Sequence, residues 1–381
     1  MSNASRILNT STKSTIHAAN GMRGLAVLLV LLSHGSNAGI SIHPALDFGG
    51  AGRYGVGLFF VLSSFLLTKQ FLDASDAQRS RKIFWANYFL RRFLRIYPLY
   101  IFCYFVYLAT PELGYLVRPV TARSIIGYVT LIDGKGFLWT LPVEFQYYFL
   151  LPIVAGITIF LLQRIGISKL ILFFATCIIL LHLSFPPEYS LSVLPFLVYF
   201  LFGSLTALLQ KLFQTTTFHL KKPAYRRITM NVLGWSGLIA ALMIIPLFFQ
   251  TFLNLPLAVV KDMTGKYLHL QFLVFAVLWS MFIFGTINNQ GWLNRFFSSK
   301  VMTFLGMVSF SAYLLHMPVI VRVEKIFPQP SFFRWWIFMI ATLAVSWVTY
   351  KIIEQPFSKI NLLKTKEIAS TTPVQPVHVQ G

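Results

Sequence analysis

Apolar runs of membrane-spanning length recur along this chain, and no other feature restricts its fold as much. A helix that crosses the hydrocarbon core needs about twenty consecutive, mostly apolar residues. Runs near that length fall at about 22–38, 55–72, 96–110, 142–162, 169–185, 191–210, 231–252, 269–287, 301–321 and 334–353. Only 11% of the 381 residues are charged and 56% are hydrophobic, whereas a soluble domain carries about 25% charge. Lipid offers no partner to an unpaired backbone amide, so such runs fold as helices. The fold class is therefore an all-α polytopic membrane protein with about ten transmembrane helices.

Charge gives the helices a direction. Thirty-two Lys and Arg stand against eleven Asp and Glu, a net charge of +21. In a soluble chain that excess would suggest nucleic acid. Here the bases sit between the apolar runs, so membrane topology accounts for them and no nucleic-acid partner is expected. Cytoplasmic loops concentrate Lys and Arg. A cytoplasmic N-terminus puts 23 of the 32 bases on that side, and an even number of spans returns the C-terminus there. Residues 1–20, polar and Ser/Thr-rich, and residues 359–381 read as disordered cytoplasmic tails around a membrane domain at 21–358. Cys103 and Cys177 both lie inside apolar runs, which argues against a disulfide framework and a thiolate metal site. No zinc-type, Walker-type or dinucleotide motif appears, so neither metal nor prosthetic group is expected.

Arg23 and His34 bracket the apolar run Arg23-Gly-Leu-Ala-Val-Leu-Leu-Val-Leu-Leu-Ser-His34. Eleven steps of a helix come to roughly three turns, so the two side chains share a face about 16 Å apart along the axis. Ionisable groups inside spans are functional candidates because the bilayer penalises them. With the N-terminus inside, His34, Glu144 and His316 all fall in the outer half of the membrane, and His182 is a further candidate for that layer. Each has a structural reading too. His34 as a buried imidazole bonded to a neighbouring helix and Arg23 as a positive-inside anchor are as plausible as their functional roles. Glu144 follows Trp139-Thr-Leu-Pro142 and would suit a helix N-terminus. His316 precedes Met317-Pro318 and would suit a carbonyl freed by the proline. His182 reads better as structural.

Two more stretches stand out. In Arg91-Arg92-Phe-Leu-Arg95-Ile-Tyr-Pro98, arginines three and four apart share one helical face. Guanidinium forks suit phosphate, and such a cluster equally suits anionic lipid headgroups. Gly55-Val-Gly57-Leu-Phe-Phe-Val-Leu-Ser63-Ser64 supplies small residues for close helix approach, with packing favoured over catalysis.

Taken in order, these segments resemble the signatures of the acyltransferase-3 family of integral membrane acyltransferases, which includes O-antigen and other surface-polysaccharide acetylases. Arg23-x10-His34 is similar to the family's basic-x10-His motif. The segments at Gly55–Leu66, Arg91–Pro98, Trp139–Tyr148, Ser309–Pro318 and Ile353–Phe357 resemble five others, so the likeness spans nearly all of residues 20–358. Gly57 departs from it, since relatives often carry an acid there, and Ser64 stands where glycine is usual.

The resemblance implies transfer of an acyl group, acetyl foremost, from acyl-CoA as co-substrate to a carbohydrate hydroxyl, in a bacterial inner membrane. His34, Glu144 and His316 become the expected catalytic residues: His34 as general base, Glu144 orienting His34 or the sugar, and His316 donating to the developing oxyanion. An acyl-imidazole on His34 is the alternative chemistry. Arg23, Arg91, Arg92, Arg95, Trp139 and Tyr313 become the expected donor- and substrate-binding residues. The rival function is a transporter or flippase for a lipid-linked sugar. It predicts internal repeats and paired broken helices, and the sequence has neither.

Overall fold

Among the described residues Pro98, Pro152 and Pro318 lie in helix interiors, and the last two explain how the helices lock together. The computed structural model describes residues 3–43, 48–110, 112–113, 117, 121–185, 190–215, 223–243, 268–328 and 332–360. Its helices are α1 (Asn3–Asn37), α2 (Gly52–Asp73), α3 (Asp76–Arg79), α4 (Lys82–Ala109), α5 (Ala122–Val129), α6 (Thr140–Ser184) and α7 (Leu197–Thr215). They continue as α8 (Pro223–Met243), α9 (Leu268–Ile287), α10 (Trp292–Phe297), α11 (Lys300–Met307), α12 (Ser309–Ile326), α13 (Phe332–Thr349) and α14 (Gln355–Ser358). A π-helical turn, Tyr350–Glu354, joins the last two. No strand occurs among the described residues. The helix at the N-terminus begins at Asn3, inside the polar stretch that the sequence suggests is disordered. Residues 361–381, most of the expected C-terminal tail, lie outside the described residues, as does the end of the run at 231–252.

Among the described residues, four helices qualify as spans by length and composition, or five with one bent pair. Gly52–Asp73, Gly136–Ile167, Leu194–Gln214 and Phe333–Ser358 are long and apolar enough to cross a membrane. A fifth is added if α11 and α12, bent by 70°, count as one. Two apolar runs share α6, which is broken at Gly166, where φ is 72°. Of the shorter apolar stretches, Lys169–Ser184 and Phe272–Ile287 fall below spanning length. The core of the bundle is α2, whose apolar stretch is 78% buried, while the spans containing α6 and α13 are only 17% buried and form an apolar rim.

A proline within a helix has no N–H for the carbonyl four residues earlier. Pro318 so frees Leu314, and the Tyr107 hydroxyl of α4 donates to that carbonyl. Pro152 likewise frees Tyr148, and Tyr88 donates to it at 2.9 Å. Both orphan acceptors thus become ties from α4 to its neighbours. Removing such a donor leaves a buried carbonyl unpaired, at about 1–3 kcal/mol. Tyr88→Phe and Tyr107→Phe are each expected to lower stability by about that amount, read as reduced thermal midpoints in detergent. Midpoints equal to wild type would refute these ties.

Tyrosines of α4 also hold a stretch of irregular backbone against the bundle. Tyr97 donates to the Val129 carbonyl at 3.0 Å and Tyr100 to the Tyr128 carbonyl at 2.9 Å. Tyr104 stacks on Tyr128 with ring centres 5.0 Å apart. The segment from Thr121 through the 3-10 turn Gly136–Trp139, which lies between the apolar runs at 96–110 and 142–162, therefore packs along α4, and Tyr128, Phe137 and Leu138 are buried. Non-helical backbone is tolerated at membrane depth where protein covers it and its polar groups are met.

One crossing fixes α1. A Cβ on Gly21 would lie 1.8 Å from the Phe297 carbonyl oxygen, and one on Gly306 would lie 1.7 Å from that of Asn20. Backbone touches backbone here, which only glycine allows. Arg23 stands just beyond this crossing.

Candidate active site

His34 and His316 meet. His34 Nδ1 lies 2.5 Å from His316 Nε2, and the rings stack with centres 4.8 Å apart and planes 15° from parallel. His316 is fully buried. Its Nδ1 faces two acceptors only, the carbonyls of Tyr313 at 2.7 Å and Ala312 at 3.2 Å. A nitrogen facing carbonyls must carry the proton, so in the neutral ring Nε2 is an acceptor. His34 Nδ1–H then donates to it, and His34 Nε2 is left with a bare lone pair. The same bookkeeping leaves His316 no N–H for an oxyanion. Phe137, edge-on at 5.2 Å between ring centres, covers His316 on another side.

Glu144 is not with the histidines. Ser63 donates to it at 3.0 Å and Tyr148 at 2.6 Å, both at Oε1. On α2, Gly52 packs against Ser33, next to His34, and Ser63 follows eleven residues later. Glu144 is therefore roughly three helical turns, about 16 Å, from the histidine level. The reason is local: α6 begins after the packed segment 121–139, so its first turn meets α2 at Ser63 rather than near Gly52. The single layer of His34, Glu144 and His316 read from topology becomes two levels.

Glu144 instead shares a small cavity of about 50 Å³ with Arg23 and Arg95, lined also by Ser63, Thr140 and Tyr313. That is room for a water or two. Arg92 belongs to the same electrostatic cluster: Arg23 feels Arg95, Tyr148, Arg92 and Glu144. The Arg92 guanidinium lies 5.9 Å from the centre of the Tyr148 ring, and its Nε is buried without a partner. Among the described residues, no carboxylate lies within 4.0 Å of Arg23, Arg92 or Arg95. Three half-buried guanidinium groups thus face one region with their charge incompletely offset. Arg91, on the same helix, is exposed and apart from the cavity. Tyr313 separates the two levels. It accepts from Thr140 at 2.8 Å and donates to the Phe137 carbonyl, and it precedes His316 by one turn. Trp139 lies against Phe196, ring centres 4.7 Å apart, and edge-on to Phe60. His182 joins neither level, and its Nδ1 is buried without a partner.

The Acyl_transf_3 family, described as an acyltransferase domain, matches residues 16–351. The chain belongs to this family. Among curated relatives, O-acetyltransferase OatA of Staphylococcus aureus is 26% identical over 379 residues, which is 89% of this chain and 57% of the relative. Peptidoglycan O-acetyltransferase OatA of Listeria monocytogenes is 25% identical over 382 residues, covering 91% and 56%. The chain thus spans somewhat over half the length of these relatives. No solved structure matches. Residues 16–351 thus form an Acyl_transf_3 domain. Together with the apolar helices this makes the chain an integral membrane protein.

The sequence alone does not reveal what stands behind these arginines. Ser311 of α12 donates to Glu354, which lies on the π-helical turn and is felt by Arg95. Gly57 also acquires a reason. A Cβ there would lie 2.7 Å from the ring of Tyr199, which is buried. The tyrosine occupies the space that an acid at this position would need. Gly57→Asp is expected to destabilise by about 1–3 kcal/mol through overpacking alone. A thermal midpoint no lower than that of wild type would contradict the packing. Ser64, in place of the usual glycine, joins Tyr147 at 2.7 Å and Ser204 at 2.9 Å in a buried hydroxyl network that ties α2 to α6 and α7.

Proposed function

We propose that this chain transfers an acyl group, acetyl foremost, from acyl-CoA to a hydroxyl of a cell-surface or lipid-linked carbohydrate. The reading rests most on the His34–His316 contact, because it leaves His34 Nε2 free to take a proton. The acceptor hydroxyl gives its proton to that nitrogen as its oxygen attacks the thioester carbonyl. The carbon–sulfur bond breaks, and the departing thiolate recovers the proton from His34. During the step the imidazolium keeps its Nδ1–H on His316 Nε2, which spreads the charge and holds the ring.

The arginine cluster supports an anionic donor. Guanidinium groups suit phosphates, and the nucleotide end of CoA would meet Arg23, Arg92 and Arg95 while its flexible arm carries the thioester toward His34. The cavity at the arginine level is small and Tyr313 lines it, so Tyr313 and its bond to Phe137 have to part for that arm to pass toward His34. With both termini in the cytoplasm, as the basic residues favour, donor arrives from inside and acceptor from outside, in a bacterial inner membrane. The relatives' names, which include peptidoglycan O-acetylation, support a carbohydrate acceptor.

Purified protein supplied with radiolabelled acetyl-CoA and a glycan acceptor tests the reading. Label should appear on the glycan and free CoA should be released. Translocation of a lipid-linked sugar without acylation would sink it.

A further inference from the structure

Arg334, in the first turn of α13, is 5% exposed. Its Nε is buried and without a partner. Among the described residues no carboxylate lies within 4.0 Å of it. A buried guanidinium left unpaired is costly, and in a membrane protein such a group marks a binding site by default. The mechanism above does not use it.

Its position ties it to the histidine level. Trp335 and Phe338 follow on the same helix, and Phe338 is one turn along the face that Arg334 occupies. A Cβ on Gly35, the residue after His34, would lie 3.4 Å from the Phe338 ring and 3.5 Å from that of Trp335. These two rings belong to a buried cluster with Leu31 of α1, Ile40 just after it, and Ile320 and Val323 of α12. Arg334 stands about one turn, roughly 5 Å, beyond that packing. The arginines of the donor cavity lie at the other level. Glu112 is engaged by Lys325 at 3.2 Å and Arg322 at 3.8 Å, both on α12, so it is not the counter-charge.

We propose that Arg334 binds an anionic group, carboxylate or phosphate, carried by the acceptor, and thereby holds the glycan over His34. The source of the anion rests on the acyltransferase reading; a binding site for the anion itself does not. A guanidinium fork takes either group by two parallel N–H bonds.

The test separates these layers by measuring binding as well as turnover. Full-length protein in neutral phosphatidylcholine nanodiscs is titrated with an N-acetylhexosamine oligosaccharide bearing one carboxylate, and with its carboxyl-reduced counterpart. Wild type should bind the acidic glycan at least about tenfold more tightly, as one charged hydrogen-bonded pair warrants. Arg334→Gln should remove that preference without changing affinity for the neutral glycan, and Arg334→Lys should keep part of it. Donor KM should stay constant. Equal affinity of wild type for the two glycans would overturn the proposal. So would loss of the preference when anionic phosphatidylglycerol replaces the neutral lipid, since Arg334 would then serve a lipid headgroup. Preferential binding with no acyl transfer in any variant would remove the acyltransferase reading and leave the anion site standing.

Discussion

Replacing His34 by alanine should reduce acyl transfer by about 10²–10⁴-fold, the usual contribution of a positioned general base. Donor KM should hardly change, because the arginine cavity lies about three helical turns away. His316→Ala should act in the same direction and more weakly, since it removes the acceptor that fixes His34 Nδ1–H but leaves the base in place. His316→Gln should recover part of that loss, because an amide oxygen can accept the same bond. The check is initial rates on purified, correctly inserted variants with saturating donor. A His34→Ala enzyme working at the wild-type rate would remove His34 from the chemistry. A His316→Ala enzyme more damaged than His34→Ala would make His316 the base instead.

The second large effect concerns the donor. Arg23→Gln and Arg95→Gln should each raise the KM for acyl-CoA by about tenfold or more, the value of one charged hydrogen bond to phosphate. kcat at saturation should change little. Salt should raise the wild-type KM more than that of either variant, because part of the attraction it screens has already gone. Arg91→Gln should behave as wild type, since Arg91 is exposed and apart from the cavity. Steady-state kinetics across ionic strength decide this. A KM unmoved by loss of Arg23 or Arg95 would place the donor elsewhere, and an Arg91 effect as large as theirs would favour a surface site.

How legible this was depends on distance along the chain. Arg23 and His34 share one helix, so their common face and spacing follow from helical geometry alone. Their separate partners come from segments remote in sequence. His316 is 282 residues from His34, and its role follows from which of its nitrogens the Tyr313 and Ala312 carbonyls occupy. Pro318 suggested a histidine satisfying a freed carbonyl. In fact Tyr107 satisfies that one, and His316 uses two others. Glu144 does not join the histidines because segment 121–139, whose carbonyls meet tyrosines of α4, packs against the bundle before α6 begins. Two of the apolar runs, 142–162 and 169–185, share α6, which is broken at Gly166. Tyr148 four residues after Glu144 was a readable i,i+4 pair, whereas Ser63 and the Ser311–Glu354 bond required the packed structure.

The central claim is that His316 fixes the tautomer of His34 and leaves Nε2 bare. Nitrogen-15 shifts of the two imidazoles, assigned by comparing wild type with His34→Gln and His316→Gln in nanodiscs, read this directly. The account predicts at neutral pH a protonated Nδ1 and an unprotonated Nε2 on both rings, with a coupling across the bond from His34 Nδ1 to His316 Nε2. A protonated Nε2 on His34, with Nδ1 as the bare nitrogen, would contradict it.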